Sequence, residues 1–262
     1  MKKENKLKKF FKAIGHGFHN FFLYLQFLLL YVIFNPIVRC RVKGKKNVRP
    51  DDEARVFITN HYEIFGPVAM YLRFPYKFRP WVIDKIMTPE SVEQQMSLSV
   101  YNNFPKYPMW FKKFAVKALR NLMVFTMNHA KAIKVSRENP RENIQTMKES
   151  TETLNKGTSV VIFPEEHYVK SGVGKFQTGF EHLAKYYYQK TGKKISFYPV
   201  FISQESKAMY IEKPIIYDPE NNPAAEKERI VYYLRDTMLD SYVKSECSKP
   251  HKKAKKIKVK RR

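Results

Sequence analysis

The chain has 262 residues, of which 44% are hydrophobic and 15% aromatic, and its formal net charge is +25. This length suits one domain with a sizeable core, and this apolar content excludes an intrinsically disordered chain. The two cysteines, Cys40 and Cys247, lie near opposite ends of the chain. They show neither metal-ligand spacing nor a disulfide framework, which fits a reducing compartment.

The positive charge is concentrated at the two ends of the chain. Residues 1–50 hold 12 Lys and Arg against one acid, residues 244–262 hold 10 against one, and the body between them has a net charge of only +5. Basic ends attract nucleic acid or an anionic membrane surface. We favour the membrane, because the sequence has no nucleic-acid-binding motif and the charge is not interleaved with aromatic residues on one element. Residues 244–262 are predicted to form a basic disordered tail, either solubilising or attracted to the membrane.

Residues 1–40 are predicted to form a membrane-associating helical segment. A lysine-rich start leads into an apolar run of 14 residues from Phe21 to Phe34, interrupted only by Gln26. As a helix, this run spans about 21 Å, which is shorter than the roughly 30 Å hydrocarbon core of a bilayer. Because both flanks are positive, we expect the run to lie in the interface or to enter and return, on the cytoplasmic face. A buried core helix and a cleaved signal peptide are the alternatives.

Between residues 41 and 243, predicted strands alternate with predicted helices. The strands are runs rich in β-branched and aromatic residues, at Arg55–Thr59, Phe78–Ile83, Ala132–Val135, Ser159–Phe163, Ile195–Ile202 and, split or confined to an edge by Pro214, Met209–Tyr217. Helices are predicted after Pro108, from Asn139-Pro140 to Gly157, over Phe180–Lys190 and over Ala224–Tyr242. The alternation predicts an α/β domain with a largely parallel or mixed central sheet flanked by helices.

The helix after Pro108 has apolar residues at helical spacing from Phe111 to Met123, with lysines between them. Either it packs in the core through residues such as Phe111 and Phe114, or it is a basic amphipathic helix at a membrane interface. We favour the core.

Two short blocks with polar residues each follow a predicted strand. Asn60-His61 follows the first predicted strand, and a histidine at a strand end is a common way to hold a general base. Phe163-Pro164-Glu165 follows a later strand. With Ile133–Arg137 and Tyr198-Pro199-Val200, these blocks have the order and spacing found in the glycerolipid acyltransferases, the lysophosphatidate acyltransferases and their relatives. The chain resembles this family over roughly residues 38–240.

The resemblance implies a membrane-associated enzyme that moves a fatty acyl group from acyl-CoA or acyl carrier protein to a hydroxyl of a phosphate-bearing lysoglycerolipid. It implies that His61 is the general base and that no metal or bound cofactor takes part. Acceptor binding would fall to six residues: Asn60, Arg137, Phe163, Pro164, Glu165 and Lys175. For Arg137 the alternative is a surface ion pair, and for Glu165 a carboxylate that caps a turn.

The sequence also departs from the family pattern. Gly66 stands where the family has the aspartate that orients the histidine, and Glu166 replaces a glycine. Glu63 or Glu166 is a candidate to replace the missing carboxylate, and Gly66→Asp is expected to raise activity if only that carboxylate is lacking. The alternative function is a non-catalytic lipid-binding protein of the same fold.

Overall fold

In the computed structural model, the described residues are 38–52, 54–62, 65–83, 89–103, 106–136, 139, 142–166, 169 and 172–247. The predicted N-terminal membrane helix and the end of the basic tail lie outside these ranges, so both stay predictions. Across the ranges just given, no helix has the length and apolar character needed to cross a membrane.

Eight strands form one mixed sheet. They are β1 Arg41–Lys43, β2 Arg55–Thr59, β3 Phe78–Ile83, β4 Ile133–Val135, β5 Ser159–Ile162, β6 Ser196–Ser203, β7 Ala208–Ile211 and β8 Ile215–Ile216. Their order is β1-β7-β6-β2-β5-β3-β4, with β8 also paired to β6. Only β7 and β8 run antiparallel to β6, and the other pairings are parallel. The predicted α/β fold with a mixed central sheet is confirmed.

The central strands are buried on both faces, and their side chains alternate between two hydrophobic clusters. Val56 and Ile58 of β2 enter the larger cluster, whereas Phe57 between them enters the second. This alternation is the period of two expected for a pleated strand. Strands covered on both sides read as continuous apolar runs, which is why β2 and β5 were predictable from sequence.

Six α-helices are present in the described part of the chain. They are α1 Phe65–Arg73, α2 Pro89–Asn103, α3 Met109–His129, α4 Glu142–Asn155, α5 His182–Thr191 and α6 Pro223–Cys247. Residues of α4, α5 and α6 pack in the larger cluster, and residues of α1 pack in the second. The predicted stop of α5 is confirmed: Gly192 has a φ of 70° and its N–H bonds the Tyr188 carbonyl oxygen at 2.8 Å.

Helices α2 and α3 form a hairpin between β3 and β4, and this part differs from the sequence-based expectation. Helix α2 was not predicted, and α3 does not face the core as favoured. Phe111 and Phe114 are exposed, whereas Val116 is buried against the small cluster that includes Val92 of α2. The prediction that the apolar residues of α3 pack into the main core is therefore wrong for these two aromatic side chains.

Candidate active site

The carboxyl ends of β2 and β5 lie side by side because these strands are parallel neighbours. Ile58 of β2 pairs with Ile162 of β5. The residues that follow the two strands, Asn60-His61 and Phe163-Pro164-Glu165, are therefore brought to the same edge of the sheet. Ligand sites of open α/β sheets form at this edge.

Asn60 is buried and joins β2 to β6. Its Nδ2 donates to the Ile202 carbonyl oxygen at 3.0 Å, and the Ile202 N–H donates to Asn60 Oδ1 at 2.8 Å. The side chain thus pairs with β6 as a backbone unit would, just where β2 ends. These bonds engage the Asn60 side chain with β6, and its predicted contact with the acceptor stays a prediction.

Glu165 holds the backbone of His61. The His61 N–H donates to Glu165 Oε2 at 2.8 Å, and the Gly174 N–H donates to Oε1 at 2.8 Å. Burial raises the pKa of the Glu165 carboxyl, and the two backbone N–H groups oppose that shift. Because both oxygens are bonded to the protein, Glu165 ties the two motif blocks to the glycine-bearing loop, which matches its alternative as a turn-capping carboxylate.

Gly66 opens α1 directly beneath the His61 carbonyl. The intervening turn places Tyr62 at a φ of 41°. A Cβ built on Gly66 would lie 2.1 Å from the His61 carbonyl oxygen and 3.1 Å from that of Asn60. The first turn of α1 can approach these carbonyls only because residue 66 has no side chain, so an aspartate at this position cannot occupy the same backbone.

The His61 ring lies beside Phe163, and Phe163 lines a cavity of about 600 Å³. The two ring centroids are 5.4 Å apart in an edge-to-face arrangement. Apolar residues line one part of the cavity: Trp81, Ile83, Val135, Met147, Ile162, Pro164 and Phe180. Polar residues line the rest: Ser136, Asn143, Thr146, Glu166, Gln177, Thr178 and His182. The cavity therefore offers an apolar and a polar wall next to the candidate base.

Glu166 and Lys175 face each other across the loop that follows β5. Their backbones are paired, with the Glu166 N–H donating to the Lys175 carbonyl oxygen at 2.9 Å, and Lys175 Nζ lies 3.4 Å from Glu166 Oε1. The lysine side chain is 79% exposed. An exposed pair of this kind contributes little to stability, so Lys175 can exchange this partner for a ligand at low cost.

Two predicted site residues, Glu63 and Arg137, lie outside the described residues. Ser136, the residue before Arg137, is buried and lines the cavity. In the described ranges, no group of three or more His, Cys, Asp or Glu side chains is arranged to hold a metal ion. Sequence reasoning missed the Gly174 N–H and the Ile202 backbone as partners, because main-chain groups leave no residue-type signal.

Comparisons with known proteins agree with this geometry. Residues 95–203 match a family model described as Acyltransferase. The crystal structure of the 1-acyl-sn-glycerophosphate (LPA) acyltransferase PlsC from Thermotoga maritima has a similar fold, with a TM-score of 0.51 and 13% sequence identity, over 86% of this chain and 79% of that one. The predicted resemblance to PlsC-like glycerolipid acyltransferases is confirmed. No curated protein matches the chain.

The match to the acyltransferase family includes the Phe-Pro-Glu block and begins after Asn60 and His61. In the structure the backbone of His61 is joined to that block through Glu165, and its role as the base stays a prediction.

Proposed function

We propose that the chain is a membrane-associated acyltransferase, acting on a hydroxyl of a phosphate-bearing lysoglycerolipid with acyl-CoA or acyl carrier protein as the donor. The observation that carries this proposal is the Glu165–His61 contact, which joins both motif blocks beside a cavity of about 600 Å³. The name of the Thermotoga maritima protein, a 1-acyl-sn-glycerophosphate acyltransferase, supports this class of acceptor.

In the proposed reaction His61 is the general base. The imidazole takes the proton of the acceptor hydroxyl while its oxygen forms a bond to the thioester carbonyl carbon. The carbon–sulfur bond then breaks, and the departing thiolate takes the proton back from the imidazolium. Asn60 and Glu165 fix the backbone at His61 through their hydrogen bonds. Arg137 and Lys175 supply positive charge for the acceptor phosphate.

The cavity has a polar atom that suits a ligand with a hydrogen-bond donor. Among the described residues, the buried Oδ1 of Asn143 finds no hydrogen-bond partner, and Asn143 lines the cavity. A buried acceptor left unpaired costs about 1–3 kcal/mol. A rotation of the Asn143 side chain toward the cavity would let a glycerol hydroxyl satisfy it, whereas an acyl chain would fit the apolar wall.

The second candidate is a non-catalytic lipid-binding protein of this fold. It is favoured by Gly66, because the residue in the place of the family aspartate has no carboxylate and no room for one.

Acyl transfer by the purified full-length protein separates the two candidates. Radiolabelled acyl donor is incubated with 1-acylglycerol 3-phosphate, and His61→Ala is compared with His129→Ala, which changes an exposed histidine at the end of α3. We expect loss of a general base to lower turnover by about 10²- to 10⁴-fold, with the His129 variant unchanged. A folded wild-type protein that binds lysophospholipid but transfers no label would favour the lipid-binding candidate.

A further inference from the structure

Large aromatic and sulfur-containing side chains cluster on the surface at the start of α3. Trp110 is 71% exposed, Phe114 67% and Met109 56%. The Phe111 ring stacks on Tyr107 at 5.2 Å between centroids and meets Trp110 edge-to-face at 5.9 Å. Single exposed aromatics are ordinary, but a contiguous group marks an interaction surface. We call these five residues, Tyr107, Met109, Trp110, Phe111 and Phe114, the aromatic stripe.

Lysines are interleaved with the aromatic stripe on the outward face of α3. Trp110, Lys113, Phe114 and Lys117 are spaced i, i+3, i+4 and i+7, so they lie on one side of the helix. All four are exposed, whereas Val116 on the other side is 2% exposed. Contrary to the usual arrangement, the face of α3 that meets solvent contains two of its largest apolar side chains.

The stretch of sequence that contains the stripe has charge of one sign. From position 94 to position 137 the sequence contains no Asp or Glu and eight Lys and Arg. The last acid before this range, Glu93, is paired with Arg120 at 2.6 Å, away from the turn between α2 and α3. Lys106 in that turn is exposed. A lysine-rich surface with protruding aromatic rings is complementary to a partner whose outer layer is negatively charged and whose interior is apolar.

We propose that the aromatic stripe, together with Lys106, Lys113 and Lys117, is a docking surface for an anionic lipid bilayer. Tryptophan and tyrosine rings favour the headgroup level of a bilayer, and lysines bind its phosphates while their stems lie on apolar groups. This surface comes from a different stretch of the sequence than residues 1–40, and it does not depend on catalysis. Ile83 lines the cavity and is the last residue of β3, the strand that precedes the hairpin in sequence. One continuous stretch of the chain therefore contributes to both the cavity and the docking surface.

Two other occupants have a physical basis, and the test must separate them from lipid. Bases of single-stranded nucleic acid also stack on aromatic rings beside basic residues, and a second copy of the chain could cover the stripe. We favour lipid because Met109 and Phe114 offer apolar area without a hydrogen-bonding group.

The chain contains its own reporter for this surface, since Trp81 and Trp110 are its two tryptophans. Trp81 is half-buried, and its Nε1 donates to Ser150 Oγ at 2.9 Å, so it is shielded from solvent relative to Trp110. Full-length protein is mixed with phosphatidylglycerol vesicles that contain doxyl-labelled lipid. Because Trp81 also lines the cavity, the signal is read in Trp81→Phe, where Trp110 is the remaining tryptophan. In this variant we expect a blue shift, protection from iodide and quenching by the doxyl group.

Affinity gives a second readout that does not need tryptophan. In full-length protein, Lys113→Gln with Lys117→Gln should weaken binding to these vesicles by about 25-fold at low salt, since each basic residue near an anionic surface contributes about fivefold. Lys148→Gln with Lys185→Gln, at exposed positions on α4 and α5, is the matched control and should change little. Neutral phosphatidylcholine vesicles should bind all variants alike.

Three outcomes would overturn the proposal. In the first, the protein sediments with anionic vesicles while Trp110 stays accessible to iodide and unquenched. In the second, the Trp110 signal appears without lipid and rises with protein concentration, which assigns the stripe to a second copy. In the third, an oligonucleotide gives the signal and vesicles do not.

Discussion

Gly66 occupies the family's aspartate position, yet the structure reverses the effect expected of restoring that aspartate. A Cβ at residue 66 would lie 2.1 Å from the His61 carbonyl oxygen, so the backbone of the base must move. Gly66→Asp and Gly66→Ala should both lower acyl transfer, by about 10²-fold if the displacement nears 1 Å. Overpacking of this kind also costs about 1–3 kcal/mol of folding stability, measurable as a lower urea midpoint.

Gly192→Ala is the control for the Gly66 variants. Gly192 has a φ of 70° and nothing within 4 Å of its Cβ position, so alanine there costs only left-handed strain. We expect a modest loss of stability with unchanged activity. Higher activity of Gly66→Asp than of wild type would show that the first turn of α1 adjusts without moving the base.

Glu165 is predicted to act on the base through the backbone. In Glu165→Gln the amide –NH₂ must face one of the two N–H donors, of His61 or Gly174, and leave it buried without an acceptor. The expected cost is about 1–3 kcal/mol of stability, with a fall in turnover because the base is no longer held. Urea unfolding and acyl transfer measure the two effects. Full activity of this variant would contradict the positioning role.

The pH dependence of stability tests the raised pKa of Glu165. Its ordinary pKa is 4.5. Between that value and the raised folded value, the folded state holds a proton that the unfolded state has lost. The stability that wild type has relative to Glu165→Gln should therefore decrease as pH rises through this interval, and reach its maximum below pH 4.5. Urea midpoints of both proteins from pH 3 to pH 7, on the order of one measurement per half unit, give the slope.

For Glu226, the change of folding stability with pH should have the opposite sign to that for Glu165. Burial raises the pKa of its carboxyl, but hydrogen bonds from Arg229, Asn221 and the Asp218 N–H outweigh burial and hold the pKa below 4.5. The stabilisation that Glu226 gives the folded state is fully present above pH 4.5. It is lost as the pH falls through the lower pKa that Glu226 has in the folded state. Relative to Glu226→Gln, wild-type stability should thus increase with pH below 4.5. Slopes of equal sign for the two glutamates would contradict both assignments.

At the scale of elements, Asn60 couples two strands to the site. Asn60→Ala removes the side-chain bonds to Ile202 and should cost about 1–3 kcal/mol, together with a loss of turnover because β2 ends next to His61. Asn47→Ala is the matched control, since Asn47 Nδ2 also bonds a backbone oxygen, that of Ile211, at 2.8 Å. We expect it to lose stability while turnover per folded molecule stays the same. Equal kinetic losses in both variants would show a general effect of stability.

The elements differ in how far the sequence predicted them. The bounds of β2 and β3 agree with the prediction. For β2 the reason is that a strand buried on both faces needs a run of β-branched and aromatic residues, whereas the half-buried β3 is recognisable by its aromatic and β-branched residues Phe78, Trp81, Val82 and Ile83. Helix α2 was missed because it packs mainly on α3 through residues such as Val92, and its sequence shows no clear apolar period. The predicted orientation of α3 was wrong for a related reason. The sequence shows which positions of the helix are apolar, but not which side of the helix packs against the rest of the protein.

At the scale of the whole molecule, attachment to a membrane is predicted to need residues 1–40 more than the tail. The apolar run 21–34 gains about 0.8 kcal/mol per buried CH₂, which salt does not screen, whereas the basic tail acts through charge alone. Removing residues 1–37, which leaves the buried Val38 and Cys40 in place, should reduce flotation with anionic vesicles at high salt to what the aromatic stripe alone supports. Removing residues 248–262 should weaken flotation only at low salt. Complete flotation of the first truncation at high salt would contradict this division.

The order of the strands also sets when the site can form during synthesis. The contact from His61 to Glu165 spans 104 residues, and that from Asn60 to Ile202 spans 142. At about 5–20 residues per second, a ribosome needs roughly 7–30 s between making the two ends of the longer contact. Until Ile162 is made, β2 has neither of its neighbouring strands complete, and until Ser203 is made it still lacks β6, so its apolar residues remain available to chaperones and to other chains. Nascent chains arrested before Ser203 should therefore be cleaved by protease within β2, and resistance should appear only once β6 has emerged.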